Sequence, residues 1–382
     1  MKKIIFTLLI YVCSNFIYAQ SYTETVIENN KFSFELFKDV FTKESNSFIS
    51  PYSISSALAM TYGGAKNNTE KQMADVLNFK RGQIKTHEGF SNLNTYFKQY
   101  KSDTSSTLSI ANAIWKDVNW HFKLDYLELT KNYYETSIYP LETVKEINSW
   151  VSKETRNKIP EIVSEDDIQG SRMVLTNAIY FKSNWFYSFK KEKTKLDNFN
   201  GHQVKMMCQK NQFKYFDTGS NQVIELPYEN NKFSMVVVLP RDEEKIEDLI
   251  NELDYSKYQS YLNALKRADI NLRLPKFKIE KKYSINNNLK SMGMTDAFNV
   301  TKADFTGMST GLSIGNVIHK SFIEVNEEGA EAAAATAVVM IEKSSRVRES
   351  IDFNANRPFV FILKDNESNS ILFIGAIINP LE

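Results

Sequence analysis

Side chains that could do chemistry are few and scattered in this 382-residue chain. The four histidines, His87, His121, His202 and His319, stand far apart, and none falls in an H-E-x-x-H pattern or in a Cys/His spacing that would hold zinc. Acyl transfer needs a nucleophile on a tight strand-to-helix elbow; G-x-S-x-G occurs only at Gly307–Gly311 and Gly311–Gly315, within one short Gly/Ser/Thr-rich stretch that reads as loop rather than elbow. The one S-x-x-K match, Ser188 to Lys191, lacks companion motifs and is of a kind that chance supplies. Gly63-Gly64 followed by Lys66 lacks the spacing of a phosphate cradle and reads as a helix terminus. The sequence therefore assigns no catalytic residue, no metal site and no cofactor.

One stretch stands apart, "EVNEEGAEAAAATAVVMIEKSSRVRES", from Glu324 to Ser350. Two readings compete for it. Alanine has the best intrinsic helix propensity, so Glu331 to Ala337 reads as a helix, though one without a broad apolar stripe and with little to dock on. The other reading is a strand held in reserve. At period two, Ala330, Ala332, Ala334, Thr336, Val338 and Met340 share one side, small enough to slip into a sheet, so the same ribbon could be exposed in one state and buried in another.

The elements that must position such a ribbon belong to one large folded unit. No Pro/Gly/Ser-rich stretch or charge block divides the chain; 42% of it is apolar and 24% charged, and 47 basic against 46 acidic residues leave a net charge of +1. That balance gives no footprint for nucleic acid. Lys2, Lys3, the apolar run Ile4 to Val12 and a polar stretch to Ala19 form a secretory signal, so residues 1–20 are expected to be removed and 21–382 to be a single domain. The run is too short for a membrane anchor, and no membrane partner is expected. Cys13 follows Val12 rather than the small residue that lipid attachment needs. Cys208 is then the only cysteine of the mature chain, and no intramolecular disulfide can form. Phe34, Phe37 and Phe41 at helical spacing, a segment from Pro51 to Gly63, and Thr69 with Gln72 in capping-box form predict helices. Val223 to Leu226, Met235 to Leu239, the alternating Ile270, Leu272, Leu274 and the run Ile371 to Ile378 predict strands. Helices first and strands later indicate an α+β protein.

Several segments are similar, in order, to those of the serpin family. "EEGAEAAAATAVV" resembles the hinge of inhibitory serpins and "FNANRPFVFIL" (Phe353 to Leu363) the C-terminal signature. "NSFISPYSISSALAMTYGGAKNNTEKQMADVL" (Asn46 to Leu77), "LTNAIYFKSNWFYSF" (Leu175 to Phe189), "VIELPYENNKFSMVVVLP" (Val223 to Pro240) and "FIGAIINP" (Phe373 to Pro380) extend the likeness over nearly the whole mature chain. The resemblance implies the serpin fold, three β-sheets with eight to nine helices and an exposed reactive-centre loop at about 327–352. It also implies a monomeric suicide inhibitor and not an enzyme; the signal segment would send it to the periplasm or the extracellular space. Its partner would be a target serine protease, held as a covalent acyl-enzyme complex.

Residue by residue, the likeness assigns a hinge at Glu327, Glu328, Gly329, Ala330, Glu331, Ala332, Ala333, Ala334 and Ala335. A polar shutter falls on Ser53, Ser56, Asn177 and His319, and the breach on Trp185 with Lys276, which pairs with Glu327. The family's scissile bond lies fourteen residues beyond the hinge glycine, which here gives Lys343-Ser344 and a trypsin-like target. Ile341, Arg346 and Arg348 are the alternative baits. Ala330 stands where many inhibitory members have Thr or Ser, but it is small and uncharged. Nothing bulky, charged or proline occurs between Ala332 and Val339, which favours inhibition over the alternative of a non-inhibitory serpin acting as a binding protein.

Overall fold

The computed structural model describes residues 22–101, 103, 105–135, 138–241, 245–330 and 349–382. The signal segment, hinge residues Glu331 to Ala335 and all five bait positions, Ile341, Lys343, Ser344, Arg346 and Arg348, lie outside the described residues.

Fifteen strands occur among the described residues. They are β1 (Ser47–Ile49), β2 (Ser106–Lys116), β3 (Ile138–Pro140), β4 (Met173–Asn184), β5 (Lys195–Phe199), β6 (His202–Asp217), β7 (Asn221–Pro227) and β8 (Phe233–Pro240). There follow β9 (Lys266–Pro275), β10 (Phe277–Ser284), β11 (Asn316–Val325), β12 (Gly329–Ala330), β13 (Ile351–Asn354), β14 (Phe359–Asp365) and β15 (Ile371–Ile377). Six form one sheet in the order β10-β11-β12-β4-β2-β3. The other nine form a second sheet, β1-β15-β14-β8-β7-β6-β9-β13 with β5 on β6. Its two parts meet only where Lys214–Asp217 of β6 pair with Gln222–Glu225 of β7, so the expected three sheets are present with two of them joined through one long strand.

Ten α-helical segments occur among the described residues, including one of four residues and one of six, which takes the count just past the eight to nine expected. Helix α1 covers 22–40; three others position the site or its sheet, the first being α2, Pro51–Tyr62. Ser50 caps α2 by accepting from the Ser53 amide at 3.4 Å, and Pro51 sits at the first helical turn, where its missing N–H costs nothing. All twelve residues of α2 are buried because it is sandwiched, packing on β15 of the second sheet and on β2 and β4 of the first.

Helix α3 (Asn67–Val76) opens at Lys66, three residues before the predicted capping box. Thr69 and Gln72 instead accept from the amides of Asp304 and of Thr295 and Asp296, tying the helix to a distant loop. The last of the three, Val144–Glu154, is the sixth helix in chain order, α6, and lies on the opposite face of the six-stranded sheet. Its Ile147 and Val151 pack with Ala111, Ala113, Val174, Ala178, Tyr180, Ile318 and Phe322 in a core of their own. The layers thus run second sheet, α2, first sheet, α6. Strands β8, β14 and β15 are apolar on both faces because both faces are covered, which is why they read as continuous hydrophobic runs.

Candidate functional site

The six-stranded sheet has an unusual centre. Strands β4 and β11 are parallel and pair directly from Val174–Tyr180 against Asn316–Phe322. Above that level they diverge, and the two residues of β12 lie between them, antiparallel to both: Gly329 opposite Asn184, and Ala330 opposite Ser183 and Val325. The sheet is zipped below and parted at one end, and the ribbon's first residues occupy the gap. Gly329 is there because nothing larger fits: a Cβ would stand 2.1 Å from the Ser183 carbonyl oxygen and 2.6 Å from the Asn184 Cα.

Side chains fasten this upper end. Trp185 is buried and stacks flat on Tyr228, with centroids 4.3 Å apart and planes 10° off parallel. Its indole Nε1 donates to the Asn326 carbonyl at 3.0 Å and its amide to the Glu328 carbonyl at 2.8 Å. Asn326 Oδ1 in turn accepts from the Glu328 and Gly329 amides, which sets the turn into β12. Glu327 is nearly buried. Lys276 donates to it at 2.7 Å and Thr194 Oγ1 at 2.9 Å, while Lys191 holds Glu328 at 2.7 Å. Burial pushes the Glu327 carboxyl up, but Lys276, a backbone N–H and Thr194 outweigh it and hold the pKa below the usual carboxylate range.

Lower down, a row of polar side chains crosses the sheet where apolar ones would be expected. Tyr283 of β10 is in register with His319 of β11, His319 with Asn177 of β4, and Asn177 with Asn112 of β2. His319 Nε2 accepts from the Ser50 amide at 3.0 Å, so Nδ1 carries the proton and donates to Asn177 Oδ1. Asn177 Nδ2 donates to Ser53 Oγ and Asn112 Oδ1, and Ser53 Oγ to Asn112 at 3.0 Å. Tyr283 Oη accepts from the Phe48 amide at 3.2 Å and Ser321 donates to the Phe48 carbonyl at 2.8 Å. A side-chain bond from His319 to Asn177 joins β4 to β11 here, so parting the strands breaks a hydrogen bond and leaves two buried polar groups to be satisfied again.

The structure therefore brings Ser53, Asn177 and His319 together. Ser56, one turn along α2, is buried beside the row and lines with Asn112, Leu108 and Phe97 a half-open cleft of about 220 Å3. Sequence reasoning missed Asn112, Ser50, Asn326 and Thr194. Two had a signal: Asn112 is polar on the strand face that carries Ile110 and Ile114, and Ser50 precedes Pro51 in the form of a helix N-cap.

Two histidines are buried neutral. Burial takes the pKa of His319 down to about 3 and that of His87, which contacts Tyr134 at 2.7 Å, down to about 4. Unfolded, each titrates near ~6.5 and binds a proton that the folded state refuses, so their contribution is complete above that value and is lost as the pH falls toward 4. Urea unfolding is expected to show a stability lower by on the order of a few kcal/mol at pH 4.5 than at 7.5, a window above the titration of most carboxylates. An unchanged midpoint would contradict the buried neutral assignment.

A second expectation concerns the upper end. In Lys276→Met the buried Glu327 carboxylate loses its cation, which costs up to about 3 kcal/mol and loosens the root of the ribbon. In limited proteolysis the variant is expected to be cut near Gly329 several times faster than the parent; equal rates would show that the pair is not restraining this end of the sheet.

Comparison with known proteins fits this geometry. The profile of the family described as Serpin (serine protease inhibitor) matches residues 27–380. Serpin B4 of Homo sapiens is 38% identical over 387 residues, covering 92% of this chain and 98% of its own. The leukocyte elastase inhibitor of Xenopus tropicalis is 38% identical over 372 residues, with 91% and 97% covered. Among solved structures, the thermophilic serpin tengpin in its native state superposes with a TM-score of 0.86 at 32% identity, over 93% of this chain and 94% of its own. Human thyroxine-binding globulin complexed with its hormone superposes at 0.85 and 26% identity, over 95% and 100%. The chain belongs to the serpin family. It falls among protease inhibitors and is not an enzyme. Among the described residues no helix is long and apolar enough to cross a membrane.

Proposed function

We propose that this chain is a secreted suicide inhibitor of trypsin-like serine proteases, monomeric and folded as one domain after loss of residues 1–20. A target enzyme cleaves Lys343-Ser344 as if it were substrate and is left acylated on Lys343. The freed ribbon then enters between β4 and β11, drags the enzyme with it and distorts the active site before the ester is hydrolysed. Residues 327–335 act as the hinge, the Trp185, Lys276 and Glu327 contacts as the breach, and the row through Ser53, Asn177 and His319 as the shutter.

The observation that carries this reading is the register at the top of the gap. Ala330 pairs with Ser183 and Val325; continuing both ladders sets Ala334 opposite Ile179 and Ser321, and Thr336 opposite Asn177 and His319 at once. The hydroxyl of the small-residue run thus arrives at the row whose direct bond the insertion breaks. About fourteen inserted residues at ~3.3 Å each carry the tethered enzyme roughly 45 Å. Two new ladders replace the one from 174 to 180; at about 1 kcal/mol net per bond the gain is on the order of 10 kcal/mol, as much as a whole domain's stability.

Incubation with trypsin tests the proposal. An SDS-resistant band of serpin plus protease is expected, with a released fragment beginning at Ser344. Cleavage without such a band, across several serine proteases, would remove inhibition in favour of a binding protein of the same fold.

A further inference from the structure

A charged surface adjoins the breach. Between residues 182 and 205 six lysines face only Glu192 and Asp197, a local charge of +4 in a chain whose total is +1. Asp197 is drawn to Arg273 at 3.5 Å, and Lys191 is engaged with Glu328. Lys190, Lys193, Lys195 and Lys205 are exposed and have no ion-pair partner among the described residues. Lys205 stands opposite Leu196 in the β5–β6 ladder, and Leu196 is 70% exposed. An exposed apolar side chain with a lysine across the ladder and other lysines close by in the chain, on a strand paired along one edge only, has the composition of a docking site: apolar centre, polar rim.

Its position selects the occupant. Thr194 and Lys191, just ahead of β5, hold Glu327 and Glu328 at one root of the bait loop. The other root is β13, on β9, the neighbour of β6. Three strand spacings of ~4.8 Å and about six residues of offset along β6 separate β5 from β13 by roughly 25 Å. A folded domain of roughly 230 residues is about 45 Å across, so a protease seated on the loop overhangs β5.

We propose that Lys190, Lys193, Lys195 and Lys205, set around Leu196, dock an acidic face of the target protease; this rests on the inhibitor reading above. Such a patch acts on encounter, raising association by about 10-fold to 10³-fold at low salt and little at high salt, and leaves the later trapping step unaltered.

The test uses anionic and cationic trypsins, which share a bait preference and differ in charge. Three proteins are compared: the parent, the local reversal Lys193→Glu/Lys195→Glu/Lys205→Glu, and a distant reversal of equal charge, Lys31→Glu/Lys71→Glu/Lys302→Glu. The parent and the distant variant are expected to trap the anionic enzyme about tenfold faster at ~0.02 M than at ~0.3 M salt, and the local variant to lose that dependence and favour the cationic enzyme. Equal rates for the two reversals would overturn the proposal. So would dextran sulfate binding lost only in the local variant while its protease rates match the parent's, which would make the surface a polyanion site. If no covalent band forms with either trypsin, the inhibitor reading fails first and takes this inference with it.

Discussion

Replacing Lys343 with alanine is expected to lower the rate of trypsin inhibition by about 10² to 10³-fold. A trypsin-like pocket presents a buried carboxylate, and leaving it without its cation costs about 3–5 kcal/mol, with ~1.4 kcal/mol per factor of ten. The effect falls on the rate of acylation. The protein should remain folded, and thermal unfolding of the intact variant should match the parent. Arg346 and Arg348 lie three and five residues further on and offer poorer baits. Cutting there would lengthen the ribbon, so the residual complex should be less complete, and the released fragment should begin at Val347 or Glu349. Inhibition at the parent rate would show that Lys343 is not the bait.

Ala334→Arg should convert the inhibitor into a substrate. The continued register sets residue 334 on the core face of the sheet, opposite the buried Ile179 and Ser321. A guanidinium there would be a buried charge without a partner, costing several kcal/mol and slowing insertion at its midpoint. The competing hydrolysis of the acyl-enzyme then wins. Cleavage by trypsin should proceed at the parent rate while the SDS-resistant band falls to a small fraction, because residue 334 is nine positions from the cut bond. An undiminished band would mean that the ribbon does not enter between β4 and β11 in this register.

Much of the architecture was legible because local and global signals agree. The Pro51 helix, the buried strands β7, β8, β9 and β15 and the α+β class follow from periodicity and punctuation alone. What misled was shared chemistry: Thr69 and Gln72 have the form of a capping box, yet tertiary partners at Asp304, Thr295 and Asp296 took both side chains. The shutter was legible only through family likeness. No spacing in the sequence says that Asn177, His319 and Asn112, from three strands far apart in the chain, meet on one row; that is set by the register of β2, β4 and β11. Ser56, one turn beyond Ser53 on the same side of the helix, lines a cleft together with Asn112. The pairing of Glu327 with Lys276 depends likewise on the β10–β11 ladder, whose end sets Phe277 opposite Val325, and the sequence shows only two charges 51 positions apart.

The claim underlying this account is that β4 and β11 separate to admit the ribbon, and a reversible lock tests it most directly. Ala178 and Lys320 are paired across the two strands. Neighbouring strands lie ~4.8 Å apart, within reach of a disulfide. Ala178→Cys/Lys320→Cys, in a Cys208→Ser background, can be closed with oxidant and opened with reductant. Oxidised, it should be cleaved by trypsin with no covalent band and no gain in heat resistance; reduced, it should trap the enzyme and unfold at a higher temperature once cleaved. Full trapping by the oxidised protein would show that the strands need not part, and would contradict the mechanism.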